Sequence, residues 1–224
     1  MRILSFIFIV FLTISASAQT SEIKQTFDEA TAKANAKDFE KALPIYRKLA
    51  GISQNEPKEF RAKIHFNIGV CLYQSKNPLK AVAEYERAVL LNPHYERAFY
   101  ALGMAHFELK NFSEAEKAFV KSLEINRKNG ETWFDLAFVY LKQENFDAAE
   151  IAFQNAIKFD SIAAADAHNN LGVISALRHD FETAEKQFKL AVGKSAEAEK
   201  NLQFCKYYKE SDFKELIAKL EFSK

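Results

Sequence analysis

Apolar side chains recur along most of this chain at helical spacing, and in several segments they form two stripes rather than one. The stretch WFDLAFVY, Trp133 to Tyr140, holds a single polar residue, Asp135. At 3.6 residues per turn Trp133, Leu136, Ala137 and Tyr140 share one face, while Phe134, Phe138 and Leu141 form a second stripe about 100° round. Such a helix has two surfaces to cover. One is expected to meet a partner helix, which leaves the other to be accounted for.

The pattern repeats. HFNIGVCLYQSKNPLKAVAEYERAVLLNP from His65, FYALGMAHFELKNFSEAEKAFVKSLEINR from Phe99, WFDLAFVYLKQENFDAAEIAFQNAIKFDS from Trp133 and HNNLGVISALRHDFETAEKQFKLAVGKSA from His168 align at spacings of 34, 34 and 35 residues. Gly69, Gly103, Ala137 and Gly172 coincide, as do Ala81, Ala115, Ala149 and Ala184. So do Tyr85, Phe119, Phe153 and Phe188, and then Ala88, Ser122, Ala156 and Ala191. Small residues at fixed places let two helices approach closely, and self-similarity at this period predicts an array of helix pairs.

These residues resemble the tetratricopeptide repeat, in which an aromatic, Leu-Gly and Tyr mark a first helix, and Ala, Phe, Ala and Pro a second. The resemblance implies an all-α, right-handed superhelical solenoid of helix-turn-helix repeats. Its full copies are expected at 62–95, 96–129, 130–163 and 165–198, preceded by a degenerate copy at 23–56. That first copy keeps Ala42 and Tyr46 but has Glu29-Ala30 in place of Leu-Gly, and about five extra residues follow it. Capping helices are expected over 199–224, the last with a buried stripe of Phe213, Leu216, Ile217 and Leu220. Pro93 fills the terminal proline place, whereas Arg127, Ser161 and Ala196 stand there in the other copies, so those corners are expected to be less rigid. Ser113 with Glu116, and Asp147 with Glu150, match the pattern of a capping box at the start of second helices. Pro44 is expected in the tolerant first turn of its helix.

In the resembled family the first helices line a concave face. The resemblance implies that Trp133, Leu136, Ala137 and Tyr140 are core and that the second stripe looks into a groove. Its expected lining is Phe66, Val70 and Tyr73, then Tyr100, Met104 and Phe107, then Phe134, Phe138 and Leu141. The ends are more polar: Asn169, Val173 and Ala176 in the last copy, and Phe27, Thr31 and Ala34 in the first. An apolar patch this large is expected to receive a protein partner, as an amphipathic helix or extended segment; the alternative is burial by the chain itself. The clamp by which related proteins grip the C-terminal carboxylate of heat-shock chaperones is not reproduced. Asn67 and Arg97 match it, but Phe27, Thr31 and Ala101 do not.

Composition narrows the function. With 48% hydrophobic and 27% charged residues the chain is globular in type. Arg2, the apolar run from Ile3 to Leu12 and Ala16-Ser17-Ala18 form the pattern of a cleaved export signal over residues 1–18, and the run is too short to span a bilayer. Without Arg2 the charges balance, which argues against nucleic acid or an anionic membrane as partner. Cys71 and Cys205 lie about four repeats apart, too far for a disulfide, so both are expected as free thiols.

No Cys-x-x-Cys, His-Glu-x-x-His, Gly-rich phosphate loop or nucleophile elbow occurs. His65 and His168 stand at the Trp place and His106 at the Tyr place, where packing or a simple hydrogen bond is expected. The reading is a non-catalytic adaptor without cofactor or metal, exported and placed in a bacterial periplasm. A chaperone-like holder of many exported hydrophobic segments is the alternative.

Overall fold

A computed structural model describes residues 21–159, 163–207 and 222. Among them are eleven helices and no strand. They are α1 (21–35), α2 (Phe39–Ile52), α3 (Lys58–Gln74), α4 (Pro78–Leu91), α5 (Glu96–Glu108), α6 (Phe112–Ile125), α7 (Gly130–Lys142), α8 (Phe146–Phe159), α9 (Ala164–Leu177), α10 (Phe181–Ala191) and α11 (Ala198–Tyr207). None of them is long and apolar enough to cross a membrane. The expected export signal and the last capping helix lie outside the described residues. The chain divides into two compact units at Leu109 and Lys110, within the third repeat.

The turn inside each repeat has one design. A residue with positive φ, Lys37, Lys76, Lys110, Glu144 or His179, ends the first helix at angles between 59° and 64°. The following Asp or Asn then does two jobs in three of the five turns, at Asp38, Asn145 and Asp180. Its N–H closes the preceding helix, as Asp38 does on the Lys33 carbonyl (2.9 Å), Asn77 on Leu72 (2.9 Å), Asn145 on Tyr140 (2.9 Å) and Asp180 on Ser175 (3.0 Å). This is the Schellman closure. Its side chain can then cap the next helix: Asp38 Oδ1 accepts from Lys41 N–H at 3.3 Å, Asn145 Oδ1 from Ala148 at 3.2 Å and Asp180 Oδ1 from Thr183 at 3.0 Å.

The capping-box expectation is therefore corrected. The N-cap of α6 is Asn111, and Asn145 caps α8, so Ser113 and Asp147 lie inside the first turns. Glu116 instead accepts from Gln143 Nε2 at 3.0 Å, and both Glu150 and Asp147 accept from the guanidinium of Arg178. Pro44 is corrected too. It is the sixth residue of α2, beyond the first turn, where its ring removes an interior hydrogen bond.

Packing follows the repeat. Ala42, Ala81, Ala115, Ala149 and Ala184 are fully buried, and so are Tyr46, Phe119, Phe153 and Phe188, with Tyr85 nearly so. At Gly69 and Gly172 the ring leaves no room for a side chain, whereas Ala137 stands at the same place in the repeat with Phe153. A Cβ built on Gly69 would lie 2.5 Å from Tyr85 Cε1, and one on Gly172 2.5 Å from Phe188 Cε1. The expected slack at the Arg127 corner is countered by Trp133, whose Nε1 donates to the Arg127 carbonyl at 2.9 Å. Asn126 Oδ1 also accepts from Lys128 N–H at 3.3 Å, holding the corner as an Asx turn.

Candidate functional site

The stripe in the first unit is carried by α1, α3 and α5. Val70, Tyr73, Tyr100, Met104 and Phe107 are half-buried, each showing part of its surface to solvent. Phe66 is different: it is buried, 5.9 Å from the Tyr85 ring and 5.1 Å from Tyr95. The Arg97 guanidinium lies over the Phe66 ring, 5.4 Å from the centroid. Tyr73 Oη donates to Glu108 Oε2 at 3.0 Å, which ties α3 to α5 along the stripe. At the start of the unit Phe27 packs on Tyr46 and Phe60, at 5.8 and 5.1 Å, and Thr31 Oγ1 lies 3.0 Å from Tyr46 Oη.

In the second unit Phe134, Phe138 and the core ring Phe153 form a triangle with centroids 5.2, 5.6 and 5.7 Å apart. Phe134 and Leu141 are half-buried, while Phe138 is buried. The expected open groove position thus fails for Phe66 and Phe138, because rings from neighbouring helices reach round to cover them. The expected core face is mixed as well: Leu136 and Ala137 are buried, but Trp133 and Tyr140 are only half-buried. Burial, with Glu116 beside it, holds the Tyr140 hydroxyl above its usual pKa.

The last stripe is closed. Asn169, Val173 and Ala176 are buried, and Asn201 of α11 donates from Nδ2 to Asn169 Oδ1 at 2.9 Å. Here the chain covers its own stripe, as one of the two sequence alternatives holds. The most exposed large apolar residues stand on second helices: Leu79, Leu90, Ile151 and Leu190. Their repeat positions differ, so they are scattered singly, as on most soluble proteins.

Two histidines tie first helices to second helices. His65 Nδ1 lies 2.7 Å from Glu84 Oε2, and Arg87 donates to the other oxygen of Glu84 at 2.7 Å. His168 Nδ1 lies 2.8 Å from Gln187 Oε1, in the same place one unit on. Cys71 and Cys205 are free. Burial pushes both thiols up to about 11, away from the thiolate that nucleophilic or metal chemistry needs. Among the described residues no three His, Cys, Asp or Glu side chains are grouped to hold a metal ion.

Models of the tetratricopeptide repeat match residues 62–95, 96–129 and 118–151. These segments are tetratricopeptide repeats. The third match begins in the middle of α6 and runs into α8, so the repeat continues without a break. No curated protein sequence matches the chain. Solved tetratricopeptide structures are similar to it in fold. MamA from Desulfovibrio magneticus RS-1 has a TM-score of 0.67 at 19% identity, over 75% of this chain and 92% of that one. YrrB, described as a TPR protein with an unusual peptide-binding site, has 0.65 at 21%, over 78% and 91%. PilF of Pseudomonas aeruginosa has 0.68 at 16%, over 90% and 89%.

Proposed function

We propose that this chain is a non-catalytic adaptor that is exported, in a bacterial periplasm, and that holds a protein segment against the stripe of its first helices. The observation that carries the reading is the half-burial of Val70, Tyr73, Tyr100, Met104 and Phe107 in the first unit; in the second unit, taken by itself, Phe134 and Leu141 are half-buried as well. Each is partly packed and still offers apolar surface, which is what a docking face requires. The peptide-binding description of YrrB supports the same class of role. Export rests on the sequence of residues 1–18.

The test is photo-crosslinking in cells from a benzophenone amino acid at Tyr100 and, separately, at Phe134, with Glu182 as control. One dominant protein adduct at the stripe positions supports the adaptor. Many faint adducts favour a holder of many clients, and none at either position refutes the docking face. N-terminal sequencing of the cellular protein tests export: a mature start at Gln19 is expected, and an intact Met1 refutes it.

A further inference from the structure

The first helices of the first unit each carry a basic residue three places before their first stripe residue. The pairs are Lys24 with Phe27, Lys63 with Phe66, and Arg97 with Tyr100. Residues three apart lie on one helix face, so the basic row flanks the stripe. The contact of Arg97 with the Phe66 ring shows the two rows touching. All three basic residues are exposed, and none takes part in an ion pair among the described residues. Acids near them along the helices are Glu22, Asp28 and Glu29 around Lys24, Glu59 four places before Lys63, and Glu96 beside Arg97; Glu108, further along α5, accepts from Tyr73. In the second unit the same register position is acidic, Glu131 before Phe134 and Asp166 before Asn169.

Resting on the docking reading above, we propose that the first unit selects an extended acidic segment of a partner protein, with carboxylates three residues apart and apolar side chains between them. Charge complementarity gives the sign, because the balanced chain has no bulk charge to confuse with this local row. The spacing comes from geometry. Neighbouring helix layers stand about 8–10 Å apart, and a polyproline II segment advances about 9 Å per three-residue turn, returning every third side chain to the same face. Carboxylates on that face meet Lys24, Lys63 and Arg97 in turn, while the intervening residues rest on Val70, Tyr100 and Met104.

Isothermal calorimetry with three synthetic peptides, (Asp-Pro-Leu)4, (Asn-Pro-Leu)4 and (Lys-Pro-Leu)4, tests this. The Asp peptide is expected to bind at least about tenfold more tightly than the other two, from three exposed charges each worth a fraction of a kcal/mol. It should weaken by a similar factor in K24E/K63E/R97E, partly in the milder K63Q/R97Q, and not in E131K. Equal binding of the three peptides, or indifference to the charge reversal, overturns the proposal. If that shared binding is lost in V70E/M104E, the docking face stands and only its charge selection falls. If no peptide binds, the proposal falls, and the Tyr100 crosslink decides whether the docking face falls with it.

Discussion

Helices α3 and α9 share an almost identical segment, HFNIGV from His65 and HNNLGV from His168, and the structure gives them the same skeleton. Each holds a histidine to its second helix, through Glu84 or Gln187, and each brings a glycine against a buried ring, Tyr85 or Phe188. They differ on the other face. In α3 the stripe presents Val70 and Tyr73 half-open, whereas in α9 the same places are buried and Asn169 is bonded to Asn201. The positions that build the repeat and those that face outward are therefore separable. One face can be sealed or left open without disturbing the fold beneath it.

If the skeletons are equivalent, removing their rings should cost alike. Phe188→Ala and Tyr85→Ala are each expected to destabilise by about 3–5 kcal/mol in urea titration, the usual cost of deleting a buried aromatic. A difference above about 2 kcal/mol between them would break the equivalence. Next in size, Asn201→Ala strips the buried Asn169 carbonyl of a donor and should cost about 1–3 kcal/mol. Its effect should show as faster amide exchange in α9 and α11 and leave α3 untouched. Uniform loss of protection would mean that the seal is not local.

A smaller change makes α3 resemble α9. Glu84→Gln should cost about 0.5–1 kcal/mol, since it replaces a charge-assisted bond to His65 and leaves Arg87 without its acid. The loss should shrink at 0.5 M salt, and a salt-independent loss would show that packing dominates instead.

The smallest effect concerns acid. The side-chain hydrogen bond with Lys41 holds Asp38 below its ordinary value of 3.8, and that with Thr183 does the same for Asp180. Their contribution is present above pH 3.8 and is lost as pH falls through the lower folded values. Amide exchange at the starts of α2 and α10 should then rise below about pH 3.8. The starts of α4, α6 and α8, which follow Asn77, Asn111 and Asn145, should show no such step.

The repeat was legible because spacing is a property of the sequence itself. The coincidence of Gly69, Ala81, Tyr85 and Ala88 with their counterparts needs no knowledge of neighbours. What the helical wheel could not show is how far a neighbouring ring reaches. Phe66 and Phe138 lie on the outward stripe by angle, yet Tyr95 and Phe153 cover them. The capping boxes misled for a related reason. Ser113 and Asp147 fit the pattern, but Asn111 and Asn145 come first, and Asn145 also closes the preceding helix, a double role that a four-residue window does not contain. The basic row passed unnoticed because it shows only when the registers of α1, α3 and α5 are laid side by side.

The five corners with positive φ hold Lys, Glu or His where glycine would fit without strain. An L-residue in that conformation gives up about 1 kcal/mol or more. The corners are similar modules, one in each repeat; those at Lys37 and Lys76 line one hollow and can couple, while changes at corners that share no neighbours should add nearly independently. The protein therefore carries a graded reserve of heat tolerance. A laboratory could raise its melting temperature one corner at a time, leaving every surface that meets a partner as it is.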